Sequence, residues 1–335
     1  MVSVYSASHF LVDFACAFLM FRRVAGTADG YLCVLLYNFC AFALQMPIGI
    51  LADKWNKNYL VAAIGCVLVG AAYGFWQVPV AAAVLIGIGN GMFHVGGGID
   101  VLNISKTKLS ALGVFVSPGA FGVYFGAMLG RGAGMTALPI LLALIPAVGL
   151  IFAASWAQRG KRPQNAAFSL ESGTAPKALL AAICLFIVVC IRSSVGLMLD
   201  FPWKGAGVWG AVLVCAVVLG KTAGGFISDR FGIVKTACVS LGLAALLFLV
   251  PQVPAAGISS VFLFNMTMPI TLWAMAKIFP GAKGFSFGLL TFGLFLGFLP
   301  TYLGAGIPDA LSWLFAPAAA ASLALLLVGV KRAKL

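Results

Sequence analysis

The chain has 335 residues, of which 62% are hydrophobic and only 9% are charged. A soluble protein carries roughly 25% charged residues, so these few charges cannot cover a surface that faces water. The formal net charge is +13, but the basic residues stand singly or in small groups between apolar runs. Because they form no continuous basic face, the charge does not indicate nucleic-acid binding. The composition indicates a protein that crosses a lipid bilayer repeatedly.

Twelve apolar runs are each long enough, or nearly so, for a helix that crosses a bilayer, which takes about 20 residues. These runs predict an all-α membrane protein with helices at roughly 3–21, 30–51, 59–77, 79–98, 109–130, 134–156, 177–198, 207–227, 236–251, 255–276, 284–304 and 309–330. The segments between them are short and rich in turn-forming residues. The longest, 158–176, is expected to link one six-helix bundle, 1–157, to a second, 177–335.

The positions of the basic residues predict the orientation. With both termini in the cytoplasm, fifteen of the 21 Lys and Arg residues fall in cytoplasmic segments and four in outer segments. Such a bias toward the cytoplasmic side is the positive-inside pattern. The short loops suit a bacterial inner-membrane protein. The eight cysteines lie in apolar runs without a CxxC pair, so we expect no metal site and no cofactor.

The two halves of the chain contain an internal repeat. Gly49 and Asp53 follow the second run in the pattern Gly-x-x-x-Asp, and Gly225 and Asp229 repeat it 176 positions later, after the eighth run. Asn90 and Asn265 are 175 positions apart, as are Gly113 and Gly288. A nearly constant offset indicates a duplicated six-helix unit, and an even number of helices gives both copies the same topology.

The segment Gly49-Ile50-Leu51-Ala52-Asp53-Lys54-Trp55-Asn56-Lys57 resembles the signature loop of the major facilitator superfamily, and 225–232 resembles its degenerate second copy. The resemblance covers essentially the whole chain. It implies two pseudo-symmetric bundles that enclose a central cavity. It also implies that Asp53 meets the start of the eleventh helix, and Asp229 the start of the fifth, where the dipole favours a carboxylate. Six residues would form this cytoplasmic gate: Gly49, Asp53, Lys54, Gly225, Asp229 and Arg230. The alternative is that these charges only set the topology.

A closer resemblance is to the fosmidomycin-resistance branch of that superfamily, whose members resemble proton-driven drug exporters. It rests on Ser8-His9-Phe10-x-x-Asp13, on Phe93-His94-x-x-Gly97 and on the glycine-rich fifth run, 113–126. Val95 stands where that branch has a proline after the histidine.

Ionisable residues inside a membrane cost about 2.5–3.5 kcal/mol on insertion scales and are usually functional. His9 and Asp13 are four residues apart and share one face of the first helix, and Asn90 and His94 repeat this spacing in the fourth. We therefore expect Asp13, assisted by His9 and His94, to bind the coupling proton. The alternative is a structural His–Asp hydrogen bond between packed helices.

Other polar or aromatic residues in the runs are candidates for substrate binding. They are Asn38, Gln45, Asn90, Tyr124, Arg192 and Asn265. Each has a structural alternative: the amides can join helices, Tyr124 can pack or face lipid, and Arg192 can reach the outer surface with its long side chain. Asp100 is expected near the cytoplasmic end, where it would act in topology.

The sequence contains no ATPase domain, so an ion gradient must supply the energy. We expect a monomeric secondary transporter in the lipid bilayer that exports a small amphipathic compound in exchange for protons. The alternative is proton-linked uptake of a small anionic metabolite bound by Arg192. An intramembrane enzyme is not expected, because two histidines and one carboxylate give no recognisable catalytic set.

Overall fold

The computed structural model describes residues 1–132, 134–158, 164–205, 207–306 and 313–335. No β-strand occurs in these residues. Their long helices are α1 (Val2–Val24), α2 (Gly30–Trp55), α3 (Asn58–Phe75), α4 (Pro79–Ile104), α5 (Ser110–Arg131), α6 (Leu138–Ala157), α7 (Pro176–Met198), α8 (Trp209–Phe231), α9 (Ile233–Leu247), α10 (Pro254–Ile278), α11 (Lys283–Tyr302) and α12 (Phe315–Arg332).

Eleven helices in the described ranges have the length and apolar composition to cross a membrane. The remaining helix, α9, is apolar but has 15 residues, which span about 22 Å at 1.5 Å per residue. A bilayer can adapt to a short span by local thinning. The protein is therefore a multi-pass membrane protein with the predicted all-α fold. The start of the predicted span 309–330 and the basic linker residues Arg159, Lys161 and Arg162 lie outside the described residues.

The ends of the helices follow local backbone chemistry. Proline opens α4, α7 and α10, because its missing N–H is not needed in the first turn. Asn56 ends α2 with a left-handed φ of 52°, and Gly232 separates α8 from α9 with a φ of 86°. The predicted end of the fourth span at 98 was wrong, since α4 continues to Ile104. The glycines at 96–98 do not break α4 because they pack inside the protein.

The chain divides into two compact units. The first contains Met1–Ile104, Pro118–Phe168 and Gly281–Phe292, and the second contains Ser105–Ser117, Ser169–Pro280 and Gly293–Leu335. In the first unit, α3 packs along α4 and α1 packs along α5. In the second, α12 packs on α7 and α9, and α8 packs on α10.

The contact between α1 and α5 uses a line of glycines on α5. A Cβ on Gly122, Gly126 or Gly130 would meet the backbone carbonyl of Phe10, Phe14 or Phe18, respectively. Small residues let two helix backbones approach closely, which favours packing where the hydrophobic effect between helices is absent. This close approach holds His9 and Asp13 of α1 against α5.

Candidate functional site

The four polar residues predicted on the first and fourth helices come together in the first unit. The Nε2 atom of His9 lies 3.1 Å from Oδ2 of Asp13 and 2.8 Å from Nε2 of His94. Asn90 donates a hydrogen bond from Nδ2 to Oδ1 of Asp13 at 2.9 Å. All four side chains are buried or nearly so. We call His9, Asp13, Asn90 and His94 the His–Asp cluster.

The tautomers in the His–Asp cluster follow from its hydrogen bonds. Nδ1 of His94 lies 2.9 Å from the carbonyl oxygen of Asn90, and a carbonyl only accepts, so Nδ1 carries a hydrogen. In the neutral His94 ring, Nε2 is then an acceptor. Nε2 of His9 must therefore donate, and its hydrogen lies between Nε2 of His94 and Oδ2 of Asp13. With both rings neutral, the hydrogen on Nε2 of His9 is thus shared by two acceptor atoms, Nε2 of His94 and Oδ2 of Asp13.

Gly119 and Phe93 pack directly against the His–Asp cluster. A Cβ on Gly119 of α5 would meet both Nε2 of His9 and Oδ2 of Asp13, so only glycine fits there without displacing them. The ring of Phe93 packs against both imidazoles, with ring centres 6.2 Å from His9 and 5.6 Å from His94. Because these contacts exclude water, the electrostatic coupling within the cluster is stronger than it would be in solvent.

The two signature aspartates bind the starts of two helices, at equivalent positions in the repeat. Asp53 accepts hydrogen bonds from the backbone N–H groups of Gly284 and Phe285 at 2.8 and 3.0 Å, inside the first unit. Asp229 accepts from Leu109 and Ser110 at 2.6 and 3.0 Å, inside the second. The aspartates are 176 positions apart and their partners 175, so the duplication extends to individual hydrogen bonds.

The glycines of the signature lie at the same contacts, but the flanking basic residues do not. A Cβ on Gly49 would meet the backbone of Gly284, and one on Gly225 would meet the carbonyl of Leu109 at 2.8 Å. Lys54 instead lies over the ring of Phe168, 4.9 Å from its centre. The guanidinium of Arg230 lies 5.4 Å from the ring centre of its neighbour Phe231.

The other residues predicted to bind substrate are dispersed. Asn38 and Asn265 are partly buried, and each donates to a carbonyl oxygen one turn earlier in its own helix. Gln45 is fully buried, and its Oε1 has no hydrogen-bond partner among the described residues. Tyr124 is partly buried and packs edge-on against Phe125. The fold brings Asn90 alone of this set into the His–Asp cluster.

Arg192 of α7 is buried in the second unit and donates to the hydroxyls of Thr267 and Thr271. The alternative of a side chain that reaches the outer surface is therefore wrong. Sequence reasoning did not anticipate the two threonines, because 75 residues separate Thr267 from the arginine.

Asp100, which was predicted near the cytoplasmic end with a role in topology, has buried hydrogen-bond partners. It is buried inside α4, where it accepts hydrogen bonds from the hydroxyl of Tyr5 at 2.7 Å and from the amide of Asn58 at 2.8 Å. The predicted helix ended at 98, so these partners within a longer α4 were not anticipated. Ten residues at about 100° each leave Asp100 about 80° around the helix from Asn90, so the spacing did not place the two on one face.

Asn165, in the segment after α6, extends the hydrogen-bond network of Asp100 and Asn58. The side chain of Asn165 bonds to Asn58 and Asn103, and its Nδ2 donates to the carbonyl of Asp53 at 3.3 Å. Lys283 donates to Oδ1 of Asn103 at 2.8 Å. Part of the predicted linker therefore packs beside the contact that Asp53 makes.

Solved structures share this fold. The chain aligns with the major facilitator superfamily transporter FucP in its outward conformation at 15% identity and a TM-score of 0.68, covering 98% of each chain. It aligns with the human organic anion transporter MFSD10 (TETRAN) at 15% identity and a TM-score of 0.70, covering 97% of this chain and 98% of that one. A second structure of FucP, described as the E. coli fucose:proton symporter, gives a TM-score of 0.62 at 13% identity.

No protein-family model and no curated protein sequence matches the chain. The structural likeness nevertheless extends over nearly the entire length of both chains. The protein therefore has the major facilitator fold: an all-helical, multi-pass architecture built from a duplicated six-helix unit.

Proposed function

We propose that this protein is a secondary active transporter of the major facilitator superfamily, which exports a small amphipathic compound in exchange for protons by alternating access. The shared fold supports the general class. The sequence motifs in the first, fourth and fifth helices support the fosmidomycin-resistance branch and hence export.

The observation that supports proton coupling is the direct contact of His9 with both Asp13 and His94 in the His–Asp cluster. With Asp13 ionised and both imidazoles neutral, the cluster carries one negative charge inside the membrane-spanning region. One further proton makes it neutral overall, because a histidine becomes a cation beside the carboxylate. A change between a charged and a neutral buried site alters the cost of burying it by several kcal/mol. Proton binding at Asp13, His9 and His94 is therefore suited to driving a change of conformation.

The paired contacts of Asp53 and Asp229 are proposed to form the gate. Each carboxylate at the start of a helix is favoured by the helix dipole and by two N–H groups that would otherwise be unsatisfied. The close approaches of Gly49 and Gly225 make these contacts possible. Lys54 and Arg230 lie on aromatic rings, so in this proposal the two aspartates form the gate and the two basic residues set the orientation in the membrane. This orientation places both termini in the cytoplasm of a bacterial cell.

A second candidate is uptake of a small anionic metabolite together with protons. The buried cation Arg192 favours it, since a membrane-embedded arginine suits an anionic ligand. Both candidates use the same cluster and differ in the direction of coupled flow.

The test is transport in membrane vesicles under an imposed pH gradient. Compounds that raise the thermal unfolding temperature of the purified protein serve as substrates. Export predicts accumulation in everted vesicles with an acidic interior, and symport predicts accumulation in right-side-out vesicles with an acidic exterior. Asp13→Asn should abolish accumulation against a gradient and preserve downhill exchange.

Asp200→Asn is the matched control, since Asp200 is exposed and pairs with Lys204. It should transport as the wild type does. Accumulation by Asp13→Asn at the wild-type level would remove Asp13 from the coupling mechanism.

A further inference from the structure

Arg192 is a buried cation whose hydrogen bonds go to neutral oxygens. The residue is 8% exposed. Its Nη1 and Nη2 atoms lie 3.3 and 3.4 Å from Oγ1 of Thr271, and Nη2 lies 3.3 Å from Oγ1 of Thr267. A guanidinium bound to a carboxylate makes hydrogen bonds of about 2.7–2.9 Å. These longer contacts to hydroxyls do not neutralise its charge.

The two hydroxyls have no further role as donors. Thr267 donates its hydrogen to the carbonyl of Phe264 at 3.2 Å, and Thr271 donates to that of Met268 at 2.9 Å. Each threonine oxygen therefore turns a lone pair toward Arg192 and orients its guanidinium. The threonines position the cation without compensating it.

No carboxylate in the described part of the chain forms an ion pair with Arg192. In the second unit, Asp200 pairs with Lys204, and Asp229 binds the backbone at the start of α5. Glu171 is exposed in a turn before α7. An uncompensated buried charge normally costs several kcal/mol, so a structural role alone does not account for this arginine.

The two threonines lie at and just after a break in α10. α10 is interrupted at Met266 and Thr267, and its second segment, Met268–Ile278, has 11 residues with Thr267 as the N-cap. The N-terminus of a helix carries about half a positive charge from the aligned peptide dipoles. The preceding segment, Pro254–Asn265, ends at the same place, and its negative end opposes this charge, so Arg192 meets the two threonine hydroxyls and not an isolated helix pole.

We propose that Arg192, Thr267 and Thr271, at the start of Met268–Ile278, bind an oxyanion group of the transported compound, a carboxylate or a phosphonate. The planar guanidinium offers five N–H donors in a fork that fits two oxygens of such a group. The inference rests on the proposed function in one respect, namely that the bound anion is the transported compound. It holds for either direction of transport.

The test measures binding at equilibrium by calorimetry on the purified full-length protein, with no pH gradient. The probes are benzoate and phenylphosphonate, and benzamide is the neutral control. Both oxyanions should bind and benzamide should not. Arg192→Gln should weaken oxyanion binding by at least about 30-fold, which is the lower range for losing one charged partner of a buried pair. Arg192→Lys should give an intermediate loss, because the charge remains and the fork does not.

A stability measurement separates this role from a purely structural one. Because Arg192→Gln removes an uncompensated buried charge, the ligand-free variant should unfold at the same or a higher temperature than the wild type. A structural arginine would give a lower unfolding temperature. Lys204→Gln, an exposed change in the same unit, should leave oxyanion binding unchanged.

Two results would overturn the assignment: no binding of either oxyanion to the wild type, or equal binding to wild type and Arg192→Gln. If the proton-coupling proposal is wrong, Asp13→Asn will still accumulate substrate against a gradient. The wild-type protein will nevertheless bind both oxyanions. The two proposals therefore fail independently.

Discussion

The substitution Gly119→Ala tests whether the proton shared within the His–Asp cluster depends on its geometry. A Cβ at this position would meet Nε2 of His9 and Oδ2 of Asp13, which are the ends of two side chains. Those ends can separate by rotation without moving a helix. At Gly122, in contrast, the added carbon would meet the backbone of α1. Gly119→Ala should therefore fold and lose the direct contact between His9 and Asp13.

The size of the effect follows from the bond that is broken. The hydrogen bond between Nε2 of His9 and Oδ2 of Asp13 is 3.1 Å long and joins a donor to an ionised acceptor. Such bonds contribute about 1.5–3 kcal/mol, which corresponds to about a ten- to hundredfold preference for one arrangement of the proton. The substitution should remove most of this preference.

Nitrogen NMR provides the assay, because the chain contains only two histidines. In protein with labelled histidines near neutral pH, His9 should show a protonated Nε2 and His94 a protonated Nδ1 with a bare Nε2. In Gly119→Ala, His9 should become a mixture of tautomers. Proton-driven transport should fall in parallel.

The control is Gly149→Ala on α6, where the added carbon has no atom within 4 Å beyond its chain neighbours and its own helix backbone. It should leave both histidine spectra and transport unchanged. Wild-type spectra for Gly119→Ala, or a wild-type His94 that carries its hydrogen on Nε2, would refute the deduced proton arrangement.

Three further predictions concern the polar contacts outside the cluster. Asp53→Asn should cost about 1–2 kcal/mol of stability, because a single amide oxygen replaces a carboxylate that accepts two backbone N–H bonds. A thermal unfolding temperature equal to that of the wild type would contradict this. Tyr5→Phe should lower the free energy of unfolding by about 1.5–3 kcal/mol, because Asp100 loses one of its hydrogen-bond donors. Thermal unfolding measures this, and an unchanged stability would show that the bond contributes nothing. Asn165→Ala should make the segment 164–168 more sensitive to protease, and unchanged cleavage would refute its anchoring role.

Much of the site could be predicted because helical spacing is local. The four-residue spacings of His9 with Asp13 and of Asn90 with His94 are enough to put each pair on one helix face. That the two pairs meet could not be read from spacing, since 85 residues separate His9 from His94. The glycine line on α5 determines which face of α1 is enclosed.

The environments of Arg192 and Asp100 could not be predicted from local spacing. Both were visible as charged residues near or inside apolar runs, but their burial and partners depend on helices far along the chain. In a soluble protein the hydrophobic side of a helix points to the core. In a membrane, lipid is as apolar as the core, so an apolar pattern does not show which side of α4 or α7 is buried.

The sequence by itself determined the membrane class, the apolar runs and the duplication, while the contacts of Asp53 and Asp229 were expected from the family resemblance. These features follow from the length of apolar runs and from matched positions along the chain, which need no knowledge of packing. The tertiary structure alone decided that His9, Asp13 and His94 meet, and that Arg192 faces Thr267 and Thr271. Such contacts depend on ångström-scale distances between separate helices, and these are set by how closely small residues allow the helices to approach.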